Sequence, residues 1–415
     1  MNEFRSPATA PVLPRALTGP LRAALDVLPV VVVTGARQTG KSTLVRELLD
    51  ADDRVYLTLD DYDVLAQARD APDQLVRRAH RMTLDEVQRS PDLLHAIKSA
   101  VDEDRRAGRF LLTGSANLLL MREVSESLAG RATYLTLWPL TRREQLRLGE
   151  AGRWSVLLDT SPTEWLDLLA DDGAPAEDWR DLARRGGYPT PSNELTDPKA
   201  RGIWFHGYIR TYLERDLQEL SAVQNLVDFR RLMAAASLRV GQLLNQTELG
   251  RDVGLPQPTV HRYLNLLETS YQLVRIPAYA VNRTKRLIKS PKLFWADTGL
   301  ALHLAGESEP RGAHLENLIA QELFAWRDAQ LERPTILYWR TTTGEEVDFV
   351  IEAGRHLLPI EVKAAPRVRP ADARHLRTFR AEYPDRALPG LLIYTGEETY
   401  WLTEDMLAVP WWRVV

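Results

Sequence analysis

The residues with the clearest chemical signature run from position 35 to position 42. Gly35-Ala36-Arg37-Gln38-Thr39-Gly40-Lys41-Ser42 fits G-x-x-x-x-G-K-[ST] without a mismatch. Glycines at both ends let the backbone turn its N–H groups toward one point, where phosphate oxygens are bound. The pattern predicts that Lys41 reaches the β- and γ-phosphates of ATP and that the Ser42 hydroxyl ligates Mg²⁺. Gly35, Gln38, Thr39, Gly40 and Thr43 complete the expected cradle. Such a loop needs an acid on a neighbouring strand. Arg81-Met82-Thr83-Leu84-Asp85-Glu86 supplies two. Asp85 is expected to hold Mg²⁺ through water, and Glu86 to orient the attacking water. Alone, the pair also reads as a solvated helix start; the loop upstream favours the metal reading.

Two further positions could act on the same nucleotide. Ser115, and after it Asn117, follow the strand Arg109-Phe110-Leu111-Leu112-Thr113 and could sense the γ-phosphate. The other reading is an N-cap for a helix over 118–128. Arg131 precedes the strand Ala132 to Leu137, where an arginine can reach the nucleotide of a neighbouring subunit. A plain surface arginine is the alternative.

A second set of chemistry-bearing residues lies in the last third. Glu361 and Lys363 alternate with Val362 at the end of an apolar strand, so both point to one face. Asp348 sits on the preceding strand, Glu346 to Ile351, and Glu316 on a helix over 312–323. Carboxylates converging there would collect a hard cation, and the lysine would offset phosphate charge. A solvated strand face with a cross-strand ion pair is the bland reading.

A third set could read nucleic acid. Helices over 229–239, 247–253 and 258–268, with a turn at Gly254-Leu255-Pro256-Gln257, have the helix-turn-helix layout. Gln257, Thr259, His261 and Arg262 are the expected outward residues. Arg275, Arg283, Lys285, Arg286, Lys289 and Lys292 follow with no acid between 275 and 292, which predicts a basic wing contacting phosphates. A protein–protein module remains the alternative.

The elements that must position these groups are legible in outline. Val30 to Val33 is a β-branched run bounded by a glycine turn, the pattern of a buried parallel strand. Strand, loop, helix, acid-tipped strand, polar-tipped strand and arginine-led strand describe an α/β parallel sheet. The predicted division is a nucleotide-binding core over 1–145, a helical lid and connector over 146–228, a winged helix over 229–292 and an α/β domain over 293–415.

With these residues in view, the chain resembles a known family. Residues 28–49 (containing VVVTGARQTGKSTL), 82–91 (MTLDEVQRSP), 111–117 (LLTGSAN) and 128–144 (LAGRATYLTLWPLTRRE) are similar to AAA-type ATPases that carry the domain of unknown function 4143. Gly186-Gly187-Tyr188-Pro189, the segment 208–217 and Pro291 to Leu300 match it too. The resemblance implies that Arg131 acts in trans in a homo-oligomeric ring. The Asp348…Glu361-x-Lys363 arrangement, with Glu316 upstream, resembles the PD-(D/E)xK nuclease superfamily.

Composition narrows the rest. The chain has 415 residues and a net charge of −4, so nucleic-acid binding would need a local patch. With no cysteine, disulfides, thiolate metal sites and cysteine catalysis are excluded. No apolar run approaches the roughly 20 residues of a membrane span, and the first residues lack a signal-peptide core, so a soluble cytoplasmic protein is expected. Three readings follow: an ATP-driven motor on duplex or branched DNA, an ATP-regulated metal-dependent nuclease, and a nucleotide-gated switch for a protein partner.

Overall fold

The four valines of the first strand set the architecture. In the computed structural model, which describes residues 12–47, 54–114, 128–170, 173–213 and 225–415, β1 (Val30–Thr34) is buried along its whole length. Alternate side chains leave its two faces. Val31 and Val33 pack with Leu21 and Leu25 of α1 (Thr18–Val27) and with Leu44 of α2 (Lys41–Glu47). Val30 and Val32 pack on the opposite side. Each valine so buried contributes about 1.5–3 kcal/mol.

Around β1 lie β2 (Val55–Thr58), β3 (Met82–Asp85), β4 (Phe110–Thr113) and β5 (Ala132–Thr136). The order is β2-β3-β4-β1-β5, all parallel. The C-terminal ends of β1, β3 and β4 therefore share one edge, as a phosphate site at the strand ends requires. The helix α3 (Leu93–Glu103) covers the Val30 face.

The span expected as a lid does two jobs. Trp154, Trp165 and Trp179 are buried in one core with Leu323, Phe324 and Trp411 of the C-terminal region. Further on, Tyr188, and Phe205 and Tyr208 of α4 (Pro198–Tyr208), join a core that includes Ala36 of the glycine loop. The Gly186-Gly187 turn is forced by close approach: a Cβ on Gly187 would lie 2.4 Å from the Leu140 carbonyl oxygen, and one on Gly186, 2.5 Å from Asp297 Oδ1.

Helices α5 (Leu226–Ser237), α6 (Gln246–Val253) and α7 (Gln257–Thr269) lie within three residues of their expected ends. Gly254 takes a left-handed conformation (φ 73°) that closes α6. Next, β6 (Leu273–Ile276) pairs antiparallel with β7 (Lys292–Trp295). A division at 292/293 would thus cut through β7. Then come α8 (Thr298–Ala305) and α9 (Gly312–Asp328). A six-stranded mixed sheet follows, of β8 (Thr335–Arg340), β9 (Glu346–Ala353), β10 (His356–Lys363), β11 (Gly390–Tyr394), β12 (Tyr400–Thr403) and β13 (Met406–Pro410). Its order is β12-β13-β11-β10-β9-β8. Among the described residues no helix is long and apolar enough to cross a membrane.

Candidate functional sites

The glycine loop joins β1 to α2. Gly35 (φ 141°), Gln38 (φ 61°) and Gly40 (φ 95°) occupy left-handed or glycine-only backbone conformations, the curl that turns amides inward. Gly35 has a second constraint, because a Cβ there would meet the Leu137 carbonyl oxygen at 2.2 Å. The loop is braced from behind by Arg15, which donates to the carbonyls of Thr39 and Trp138, both at 2.7 Å, and pairs with Glu144 at 3.1 Å. Arg15 carries no motif signal; its role emerges only from the packing.

Lys41 is buried. Its Nζ donates to the carbonyls of Gly35 (3.2 Å) and Ala36 (2.8 Å), so the ammonium sits inside the loop's own curl. Burial pulls its pKa down to about 8; Glu86 and Asp85 oppose the fall and Arg37 adds to it. At the head of α2, Ser42 Oγ donates to Asp85 Oδ1 at 3.1 Å. Asp85 also accepts from Thr113 Oγ1, and from Tyr56 Oη at 2.7 Å. A hydroxyl and a carboxylate this close, both hard oxygen donors, fit a magnesium ion. Glu86 has φ 59°, its backbone N–H donates to Thr113 Oγ1 at 3.2 Å, and its carboxylate accepts from Gln88. Thr39 is buried in the loop and Thr43 is exposed beside it. Beside Gly40 and Thr43 lies a cavity of about 350 Å³ lined also by Val12, Leu13, Arg147 and Pro189. Sequence reasoning missed Tyr56 and Thr113, although Thr113 ends a strand at the same sheet edge.

Arg131 lies at the other edge of the sheet, just before Ala132, which pairs with Val30. Five strand residues at about 3.3 Å each separate it from its own loop. It forms an ion pair with Asp102 at 2.6 Å. Ser115, Asn117 and the helix expected over 118–128 fall on residues 115–127, outside the described residues except for Leu128. The segment 208–217 is described only through Leu213.

Gln257, His261 and Arg262 are exposed along one side of α7, and Thr259 is half-buried. The basic stretch after them differs from an exposed wing. It contains a short helix, Arg283–Ile288, and half of its cations turn inward. Arg275 pairs with Glu268, Arg286 with Glu352 at 2.6 Å, and Lys292 with three carboxylates. Most of these counter-charges come from distant parts of the sequence, so a local count of acids could not find them. Lys285 and Lys289 stay exposed; Arg283 opens the helix.

The C-terminal acids do converge. β9 and β10 pair antiparallel with Ile360 opposite Phe349, which sets Asp348 beside Glu361. Val362 N–H donates to Asp348 Oδ2 at 2.9 Å, and Lys363 pairs with Glu361 at 2.6 Å. Glu316 comes in from α9. Burial holds the Glu316 and Glu361 carboxyls well above the usual carboxylate range, with Asp348 adding to both shifts. The sequence reading missed two members: Glu346, and Lys292 at the centre.

The glycine loop and the end of β1 contact α4 and the α7–β6 junction directly. The hydroxyls of Thr34 and Tyr271 lie 2.9 Å apart. Tyr208 Oη donates to the Arg37 carbonyl at 3.3 Å, and Gln272 and Tyr188 bond the same hydroxyl at 3.1 and 3.0 Å. The turn at 186–187 is held by Asp297, whose Oδ2 accepts from Gly187 N–H at 2.6 Å. Burial raises the Asp297 carboxyl to about 6 against these amide bonds.

Residues 28–146 match the AAA domain, 176–311 the domain of unknown function 8612, and 311–414 the domain of unknown function 4143. An uncharacterized protein of Mycobacterium tuberculosis is 32% identical over 401 residues, covering 94% of this chain and 82% of its own length. An uncharacterized protein of Haemophilus influenzae is 22% identical, covering 80% of this chain and 82% of its own length. Among solved structures, the Walker-type ATPase of Pyrococcus abyssi is 16% identical and covers 72% of this chain and 99% of its own, with a TM-score of 0.45. The chain belongs to the family of its mycobacterial relative and carries an AAA-type P-loop ATPase domain at residues 28–146.

Proposed function

We propose that the protein hydrolyses ATP in a magnesium-dependent reaction and uses the turnover to act on DNA through its helical module. One observation carries the catalytic half: Ser42 Oγ stands 3.1 Å from Asp85 Oδ1, next to Lys41 at the start of α2. In this reading the loop amides bind the triphosphate, with the positive end of α2 behind them. Lys41 leaves its carbonyl partners to meet the β- and γ-phosphates. Ser42 and Asp85 hold the magnesium ion, which when bound neutralises phosphate charge. Glu86 orients the attacking water. Arg131 serves a neighbouring subunit's nucleotide in a homo-oligomer, because the sheet separates it from its own.

The DNA half is supported by the α6–turn–α7 layout, with β6 and β7 as its ribbon. Exposed Gln257, His261 and Arg262 are the base-facing candidates, and Lys285 and Lys289 the phosphate contacts. The bond between Tyr271 and Thr34, and the chain from the Arg37 carbonyl through Tyr208 to Gln272, link the nucleotide loop to that module. The deciding experiment is an ATPase assay with single-stranded, duplex and branched DNA. Stimulation that weakens with salt supports the reading. A rate indifferent to DNA but changed by a protein partner would replace it with the switch.

A further inference from the structure

The acidic cluster of the C-terminal sheet already contains a cation. Lys292 is 1% exposed, and its Nζ lies 2.8 Å from Glu316 Oε1, 2.6 Å from Glu346 Oε1 and 3.3 Å from Asp348 Oδ1. These oxygens come from α9 and β9, so the ammonium stands where the carboxylates converge. Its Nζ lies over the Tyr338 ring, 6.0 Å from the ring centroid.

The backbone that delivers this lysine is fixed from both sides. Lys292 pairs with Ile276 across the β6–β7 ribbon and bridges to Leu243. Its neighbours Pro291 and Leu293 bond to Leu244 and Gln242 at 2.8 and 3.0 Å. With its backbone fixed in the ribbon and its side chain buried, the ammonium is held inside the cluster and away from solvent.

A divalent ion makes different demands. Magnesium needs oxygens at about 2.0–2.1 Å in near-octahedral array, and it cannot share one point with an ammonium. Of the remaining members, Lys363 is held by Glu361, while Glu361 Oε2 is buried without a hydrogen-bond partner. Among the described residues no group of three His, Asp or Glu side chains is arranged to hold a metal ion. The residues resemble a nuclease site in type and order, yet they do not fit the metal such a site uses.

We propose that Lys292 is the resident cation of this cluster, occupying the metal position and leaving the nuclease-like fold as a metal-free scaffold. The lysine belongs to the ribbon of the helical module and the acids to the C-terminal domain. The cluster thus serves as an ion-pair lock between the two, and an unpaired Glu361 oxygen is the remnant of a metal-binding design.

The test is Mn²⁺ binding to the nucleotide-free, full-length protein, followed by electron paramagnetic resonance. The native chain and Lys292→Arg should bind no Mn²⁺ that Asp348→Asn removes. Lys292→Met keeps the stem and removes the charge, so it should gain one Mn²⁺ per chain that the native chain does not bind. Adding Asp348→Asn should abolish that gain. The proposal is overturned if the native chain binds Mn²⁺, or cuts plasmid DNA with Mn²⁺, in a way that Asp348→Asn abolishes. A folded Lys292→Met chain that gains no ion overturns it equally. If Lys292→Met fails to fold, the native chain against Asp348→Asn decides: loss of Mn²⁺ binding overturns the proposal, and no difference supports it.

Discussion

The depressed pKa of Lys41 makes ATP affinity depend on pH in a direction that can be worked out. In the ligand-free chain the ammonium is buried against two carbonyls and titrates at about 8. A bound triphosphate favours the charged form and restores an ordinary lysine value of about 10.4. Between these values binding takes up a proton, so affinity falls as pH rises through 8. The dissociation constant scales as 1 + 10^(pH − 8), about 1.1 at pH 7 and about 11 at pH 9, a tenfold loss or about 1.4 kcal/mol. A fluorescent ATP analogue titrated from pH 7 to 9 reads this directly, and Lys41→Met, though weaker throughout, should lose the slope. Stability of the ligand-free chain has the opposite sign. The unfolded lysine holds its proton to about 10.5, so folding is favoured progressively as pH rises from 8 to 10.5. Constant native affinity across this range, or an equal slope in Lys41→Met, would refute the reasoning.

Other expectations follow from single groups. Arg131→Ala should leave ATP affinity within about threefold and lower turnover by about a thousandfold or more. Mixing it with Lys41→Ala chains should restore some activity, since each supplies what the other lacks; no recovery would argue against action in trans. Gly35→Ala drives a Cβ onto the Leu137 carbonyl oxygen and should cost about 3 kcal/mol in urea unfolding, with loss of nucleotide binding. Burial raises the Glu322 carboxyl to about 8 from 4.5. The folded chain favours its protonated form, so stability falls by a few kcal/mol as pH rises from 4.5 through 8. Glu322→Gln should flatten that fall in urea melts at pH 5 and 8. Tyr271→Phe removes the bond to Thr34 and should cost about 1 kcal/mol. Its larger effect should be loss of DNA stimulation of the ATPase rate.

The parts legible in sequence were those set by local pattern. Four consecutive valines, a glycine loop and an acid-tipped strand announced the parallel sheet and its phosphate edge. Helix boundaries around the Gly254 turn could be read from apolar spacing and the glycine turn. What escaped was set by long-range pairing. The stretch from Arg275 to Lys292 reads as an unopposed basic run, yet Glu352, Glu316, Glu346 and Asp348, far along the chain, neutralise Arg286 and Lys292. The tryptophans at 154, 165 and 179 lie in the span expected as a helical lid and connector, and they fill a core shared with the C-terminal sheet. Asp297 looked like one residue of a family motif; its task is to hold the Gly186-Gly187 turn from over a hundred positions away.

In the proposed reaction the loop around Gly40, with Lys41, Ser42 and Asp85, holds a metal-bound triphosphate for hydrolysis. Steady-state phosphate release by the full-length chain tests it most directly, with Mg²⁺ and with chelator, beside Lys41→Ala and Asp85→Asn. Turnover is expected only with Mg²⁺, and both variants should lose it. No release by the native chain under any condition, or release that survives both substitutions, would contradict it.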